Sequence, residues 1–160
     1  MSKQMILKQA DIFFGVEDAH IESIAALCKE RSYTLGKPIF EENSSGDELY
    51  VIAEGKVEII LDPTLVSDQA TTSSSPQTVA HLHRGQSFGE VALVDQGLRS
   101  ATARSASKNT RLLIIPRLEL MQLFEDVPQL GYRMMRNLAA DLAMKLRGTD
   151  FQIRDQLLHD

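Results

Sequence analysis

The apolar positions fall into three zones with different periods. From residue 8 to 30 the spacing is helical: Ile12, Phe13, Phe14 and Val16 form an apolar knot, and Ile21, Ile24, Ala25, Leu27 and Cys28 follow on one face. Asp18 is placed to cap that helix, and Cys28 falls on its buried stripe as a structural thiol. From Tyr33 to Ile115 the period changes to two. Gly36-Lys37-Pro38 opens this zone, Ser44-Ser45-Gly46-Asp47 and Glu54-Gly55-Lys56 are turns, and Leu49-Tyr50-Val51-Ile52 and Val57-Glu58-Ile59-Ile60-Leu61 read as strands. Turns that recur this often between short strands point to a sandwich or barrel. Residues 62 to 78 are rich in Ser, Thr, Asp and Pro, which predicts a mobile surface loop between two strands, a hairpin insertion rather than a docking or modification site.

Helical spacing returns at Pro116, a suitable first helical residue. Leu118, Leu120, Met121, Leu123 and Phe124 line one helix up to Pro128. A longer helix carries Leu130, Met134, Leu138, Leu142 and Leu146, with Met135, Ala139 and Ala143 beside them. A stripe that wide has two neighbours to satisfy, its own barrel and a second copy packed as a coiled coil, so a homodimer is expected. The pattern as a whole predicts an α+β, mainly β chain: a helical segment over 1–32, a β-barrel core over 33–115, and C-terminal helices over 116–160.

Composition narrows the class of protein. The 160 residues are 43% hydrophobic, enough for one core. A formal net charge of −5 argues against a chain that binds polyanions as a whole. The single cysteine forms no internal disulfide and cannot supply a zinc or iron–sulfur cluster. No apolar run approaches the roughly 20 residues of a membrane helix, so a soluble, cytoplasmic protein without membrane partners is expected.

The chemistry concentrates in Phe88-Gly89-Glu90-Val91-Ala92-Leu93 and, after a short loop, Arg99-Ser100-Ala101-Thr102-Ala103. Gly89 allows close backbone approach. Residues 89 to 94 form a short helical turn whose first amides, Gly89 to Ala92, face an anion. Glu90 is an acceptor for a sugar hydroxyl, and the Arg99 fork suits phosphate oxygens. Together they describe a cradle for a ribose phosphate.

These residues resemble the phosphate-binding cassette of cyclic-nucleotide-binding domains, and they satisfy its pattern from Phe88 to Leu93 and from Arg99 to Ser105. Gly46-Asp47 and Gly55 resemble the same family's turns, whereas Glu42-Asn43-Ser44 departs from its usual Glu-Gly-Asp. The resemblance implies a double-stranded β-helix, or jelly-roll barrel, flanked by N-terminal helices and a long C-terminal helix. It also implies a sensor with no catalysis of its own, which binds cyclic AMP ahead of cyclic GMP and signals through its C-terminal helices to a downstream effector. Phe88, Val91, Leu93 and Ala101 would shape the pocket. Ser100, and with it Thr102, would lie along the phosphate strand, where Ser100 tolerates either purine. Leu138 to Arg147 resembles the family's long helix, which dimerises and covers the base, and that alignment assigns Thr149 as a base contact.

Two other readings follow from the residues. The chain could be the sensory half of a catabolite-activator-type transcription regulator. It carries no recognition helix after Leu158-His159-Asp160, so no DNA binding by this chain alone is expected. A barrel that kept the cassette for contacts alone is the other, and the intact Glu90–Arg99 pair argues against it. His81 and His83 share one strand face, as in metal-binding cupin enzymes. Ser87 and Phe88 stand where a carboxylate ligand is needed, and the only later histidine is His159, so neither metal nor cofactor is expected.

Overall fold

The computed structural model describes residues 2–62, 75–95 and 97–159, without the side chains of residues 149–152 and 159. Most of the predicted loop, residues 63–74, lies outside the described residues.

Helix α1 (Lys3–Gln9) starts at Ser2, whose hydroxyl accepts from the Met5 amide. A 3₁₀ turn (Asp11–Phe13) follows, then α2 (Asp18–Leu27). Asp18 is the first helical residue and not the cap: Glu17 takes the cap position without a side-chain bond. Cys28 ends α2 in the core, and burial pushes its thiol pKa up to about 11, against which the nearby Lys3 ammonium only partly works. That agrees with an inert packing residue.

The described strands form two four-stranded antiparallel sheets. One runs β1 (Lys29–Tyr33), β8 (Thr110–Pro116), β3 (Glu48–Glu54), β6 (Ser87–Phe88). The other runs β2 (Pro38–Phe40), β7 (Thr102–Ser105), β4 (Lys56–Leu61), β5 (Gln77–His83). They enclose a jelly-roll barrel. Its first strand begins four residues before the expected boundary, because Lys29-Glu30-Arg31-Ser32 is an exposed edge pairing with Ile114 to Arg111 and carries no alternating signal.

Strands β3 and β8 are buried on both faces, which is why they read as unbroken apolar runs. Tyr50, Ile52, Leu112 and Ile114 point into the barrel with Tyr33, Val57, Phe88 and Ala103. Leu49, Val51, Ala53, Leu113 and Ile115 face outward and carry the helices. The outer core joins Leu7, Phe13, Ile21 and Ile24 to Leu120 and Phe124 of α4 (Arg117–Asp126) and to Leu130, Met134 and Leu138 of α5 (Pro128–His159). Pro116 closes β8 and caps α4 instead of starting it. Asn137 donates from α5 to the carbonyls of Ile12 and Phe14 at 2.9 and 2.8 Å. The root of α5 is therefore fixed to the N-terminal helices, and its far half passes the cassette.

Candidate functional site

The cassette follows directly from β6. Phe88 is buried in the barrel, its ring stacked on Tyr50 with centroids 4.9 Å apart. The chain then reverses at Gly89, whose φ of +77° is left-handed. A Cβ there would lie 2.9 Å from the Glu48 carbonyl oxygen and 3.1 Å from both Arg99 and Tyr50. Glycine is thus required twice over, by conformation and by space.

Glu90 precedes the single turn α3 (Val91–Val94). Ala92 and Leu93 are buried, which pins the turn to the outer core, while Val91 stays exposed. Leu93 O accepts from Arg117 Nε at 3.2 Å, linking the turn to the start of α4. The Ala92 amide donates to Gly89 O at 3.2 Å, so it is engaged inside the turn, although the sequence assigned it to the ligand.

Arg99 enters on a backbone clamp. The Asn43 amide donates to Arg99 O and the Arg99 amide to Ser44 O, both at 2.8 Å. The clamp uses the Glu42-Asn43-Ser44 turn, and Asn43 takes the left-handed φ of 67° that a glycine would otherwise fill. The guanidinium lies 4.3 Å over the Phe40 ring centroid and donates to Glu48 O at 3.1 Å and Gly89 O at 3.4 Å. Gly46 makes room for it, since a Cβ there would come within 2.8 Å of Arg99 Nε.

Arg99 is 6% exposed, no carboxylate pairs with it among the described residues, and its buried Nε has no hydrogen-bond partner. A buried cation answered only by carbonyl dipoles and ring faces favours an anion brought from outside. The residue after the Gly89 carbonyl that it holds is an acid, and Glu90 is 5% exposed. Tyr50, whose ring centroid lies 5.8 Å from the Arg99 guanidinium carbon, donates to Glu48 Oε2 at 3.0 Å; burial, with the Glu48 charge, pushes its phenol above the usual tyrosine range.

The remaining expected site residues lead into the next strand, β7, which starts at Thr102. Ser100 is exposed, and Ala101 and Thr102 are half-buried. The Thr102 hydroxyl accepts from the Glu42 amide at 2.9 Å and so already serves the clamp. The Thr149 side chain lies outside the described residues.

From α5 it is Lys145 that reaches the cassette, one helical turn (about 6 Å) before Thr149. Its ammonium donates to Glu90 Oε1 and lies 3.0 Å from Asp141 Oδ2. Burial pulls the Lys145 pKa down, but attraction and hydrogen bonds from Glu90 and Asp141 outweigh it and leave the pKa above the ordinary lysine value. Nothing in the sequence marked Lys145 beyond its i,i+4 spacing from Asp141. The histidine pair His81 and His83 lies exposed on β5, and no metal-binding cluster occurs among the described residues. No described helix is long and apolar enough to cross a membrane.

A left-handed glycine and a buried acid at one short turn, with a buried arginine held against the glycine's carbonyl, make up the candidate site. The sequence model of the cyclic nucleotide-binding domain matches residues 30–127. The chain belongs to the cyclic nucleotide-binding domain family. It is 32% identical over 147 residues to the cyclic AMP receptor protein of Thermus thermophilus, covering 92% of this chain and 62% of that protein. It is 26% identical over 114 residues to a cAMP-dependent protein kinase regulatory subunit of Mycosarcoma maydis, covering 70% of this chain and 20% of the subunit. The crystal structure of the Thermus thermophilus catabolite activator protein superposes with a TM-score of 0.74 at 32% identity, over 92% of this chain and 63% of that one. A cyclic nucleotide-binding domain from Methylobacillus flagellatus shares the fold with a TM-score of 0.79 at 21% identity, over 96% of this chain and 82% of that one. The domain thus spans a little under two thirds of the bacterial regulators it matches.

Proposed function

We propose that this domain is a sensor of purine 3′,5′-cyclic nucleotide, with cyclic AMP preferred over cyclic GMP, and that it signals through α5. The observation that carries the reading is the buried, carboxylate-free Arg99 beside the buried Glu90. The arginine would take the cyclic phosphate through its unengaged Nε and its outer nitrogens, and Glu90 the ribose hydroxyl. The exposed Ser100 hydroxyl would add a phosphate contact at the entrance to β7. Nothing in this arrangement calls for catalysis. Competition between the two nucleotides for a fluorescent cyclic AMP analogue tests the preference: cyclic AMP should displace it at a lower concentration than cyclic GMP, and the reverse order would refute it.

Transmission needs a ligand with different affinities for two states of the helix. The α5 helix is suited to that role because it is rooted on the N-terminal helices and passes the cassette with its far half. That half carries Leu146, Ile153 and Leu157, which are 64%, 50% and 73% exposed. Their spacing of seven and four is a coiled-coil seam, and it supports a homodimer through α5. In sedimentation the wild-type chain should behave as a dimer and Leu146→Glu/Leu157→Glu as a monomer; a wild-type monomer at tens of micromolar would count against the seam. Where the domain is part of a transcriptional regulator, as the name of a Mycobacterium tuberculosis relative indicates for that protein, the same helix would carry the signal onward.

A further inference from the structure

Arg99 has no carboxylate partner among the described residues, although one of the residues that hold it is an acid. The Glu48 carbonyl accepts from Arg99 Nη2 at 3.1 Å. Glu48 and Tyr50 lie two apart on β3, so their side chains leave the same face of the strand. Tyr50 on that face points into the barrel, and the Arg99 guanidinium carbon lies 5.8 Å from its ring centroid. A half-buried carboxylate on the arginine's side of the sheet would pair with the guanidinium if nothing else held it. The Tyr50 phenol holds it, donating to Glu48 Oε2 at 3.0 Å.

We propose that Tyr50 is a positioning residue of the phosphate site: by holding the Glu48 carboxylate, it keeps that acid off Arg99 and leaves the guanidinium open to the ligand's anion. The proposal rests on the reading of the cassette as a cyclic-nucleotide site. The core aims the hydroxyl, because Tyr50 is buried with its ring stacked on Phe88 and tilted against Phe40. Burial first, and then the Glu48 charge, holds the phenol above the usual tyrosine range, so it stays a donor at neutral pH. Arg99 meanwhile is steadied by two carbonyls and the Phe40 ring face, which leave its Nε unengaged. A phosphate can add to those contacts. An Arg99–Glu48 ion pair would instead have to break before a phosphate could bind, and the affinity would be discounted by the fraction of chains so paired.

Two substitutions with opposing effects test this, read by calorimetric titration of the full chain with cyclic AMP. Tyr50→Phe keeps the ring and its stack on Phe88 and removes the hydroxyl alone. The released carboxylate should pair with Arg99, and cyclic AMP should bind about five- to tenfold more weakly, as a site open in only a fraction of the chains. Adding Glu48→Gln should return the affinity to that of the wild type, since an amide does not neutralise the arginine. Glu48→Gln alone, whose amide oxygen still accepts from Tyr50, should bind as the wild type does. Loss of packing at residue 50 would not be reversed by neutralising residue 48, so the rescue separates positioning from structure, and melting temperatures check that each variant is folded. Wild-type affinity in Tyr50→Phe overturns the proposal, as does a double variant that binds as weakly as Tyr50→Phe. Weaker binding by Glu48→Gln alone would place that carboxylate on the ligand and overturn it too. A wild-type chain that binds no cyclic nucleotide overturns the site reading itself.

Discussion

Arg99→Ala is expected to weaken cyclic AMP binding by at least about ten- to a hundredfold. A hydrogen bond to a charged group contributes about 1.5–3 kcal/mol, and each 1.4 kcal/mol is roughly tenfold in affinity. Arg99 offers several such bonds to a phosphate. The structure adds a reason for the large figure: the fork is already buried, oriented by Glu48 O and Gly89 O, and stacked on Phe40. Little ordering remains for the ligand to impose, so the contact is made at low entropic cost. Arg99→Lys should recover only part of the loss, because an ammonium cannot present the planar fork. Calorimetry on the two variants beside the wild type reads the effect, with circular dichroism confirming that each is folded. Folded Arg99→Ala that binds with wild-type affinity would remove Arg99 from the site.

Gly89→Ala should damage stability and binding together. A non-glycine residue held at a left-handed φ of +77° costs about 1–3 kcal/mol. The new methyl would also stand 2.9 Å from the Glu48 carbonyl oxygen, a backbone atom of β3 that cannot turn away. If Glu48 O shifts, Arg99 loses an acceptor that orients it. The melting temperature should fall by about 3–10 °C for a domain of this size, and cyclic AMP affinity by about tenfold or more. Gly36→Ala is the matched control. Gly36 also has a left-handed φ, +82°, but a Cβ there meets nothing within 4 Å. It should lower stability by the strain alone and leave affinity intact. Equal losses of affinity in both variants would mean that general destabilisation, not the close approach at Gly89, explains the effect.

The cassette was legible in the sequence because it is local. Phe88 to Leu93 and Arg99 lie within twelve positions, and each demands its residue type for a short-range reason: a left-handed turn, a buried acid, a guanidinium under a clamp. The strands of the core were legible for the opposite reason, since β3 and β8 are apolar throughout. What the sequence hid depends on distance and register. The exposed edge β1 has no alternation to read, because its partner β8 supplies the buried side. The α1 helix hides its two buried residues, Ile6 and Leu7, in a polar stretch. Lys145 was invisible because only the docking of α5 against the barrel decides which of its residues faces Glu90.

Everything proposed for this domain depends on the cassette holding one cyclic nucleotide. The most direct measurement is calorimetric titration of the wild-type chain with cyclic AMP, after unfolding and refolding to strip any carried-over ligand. Saturable heat with one site per chain and micromolar or tighter affinity is the expected result. A refolded chain that gives no heat and no thermal stabilisation with cyclic AMP or cyclic GMP would contradict it, and would leave the buried arginine without its anion.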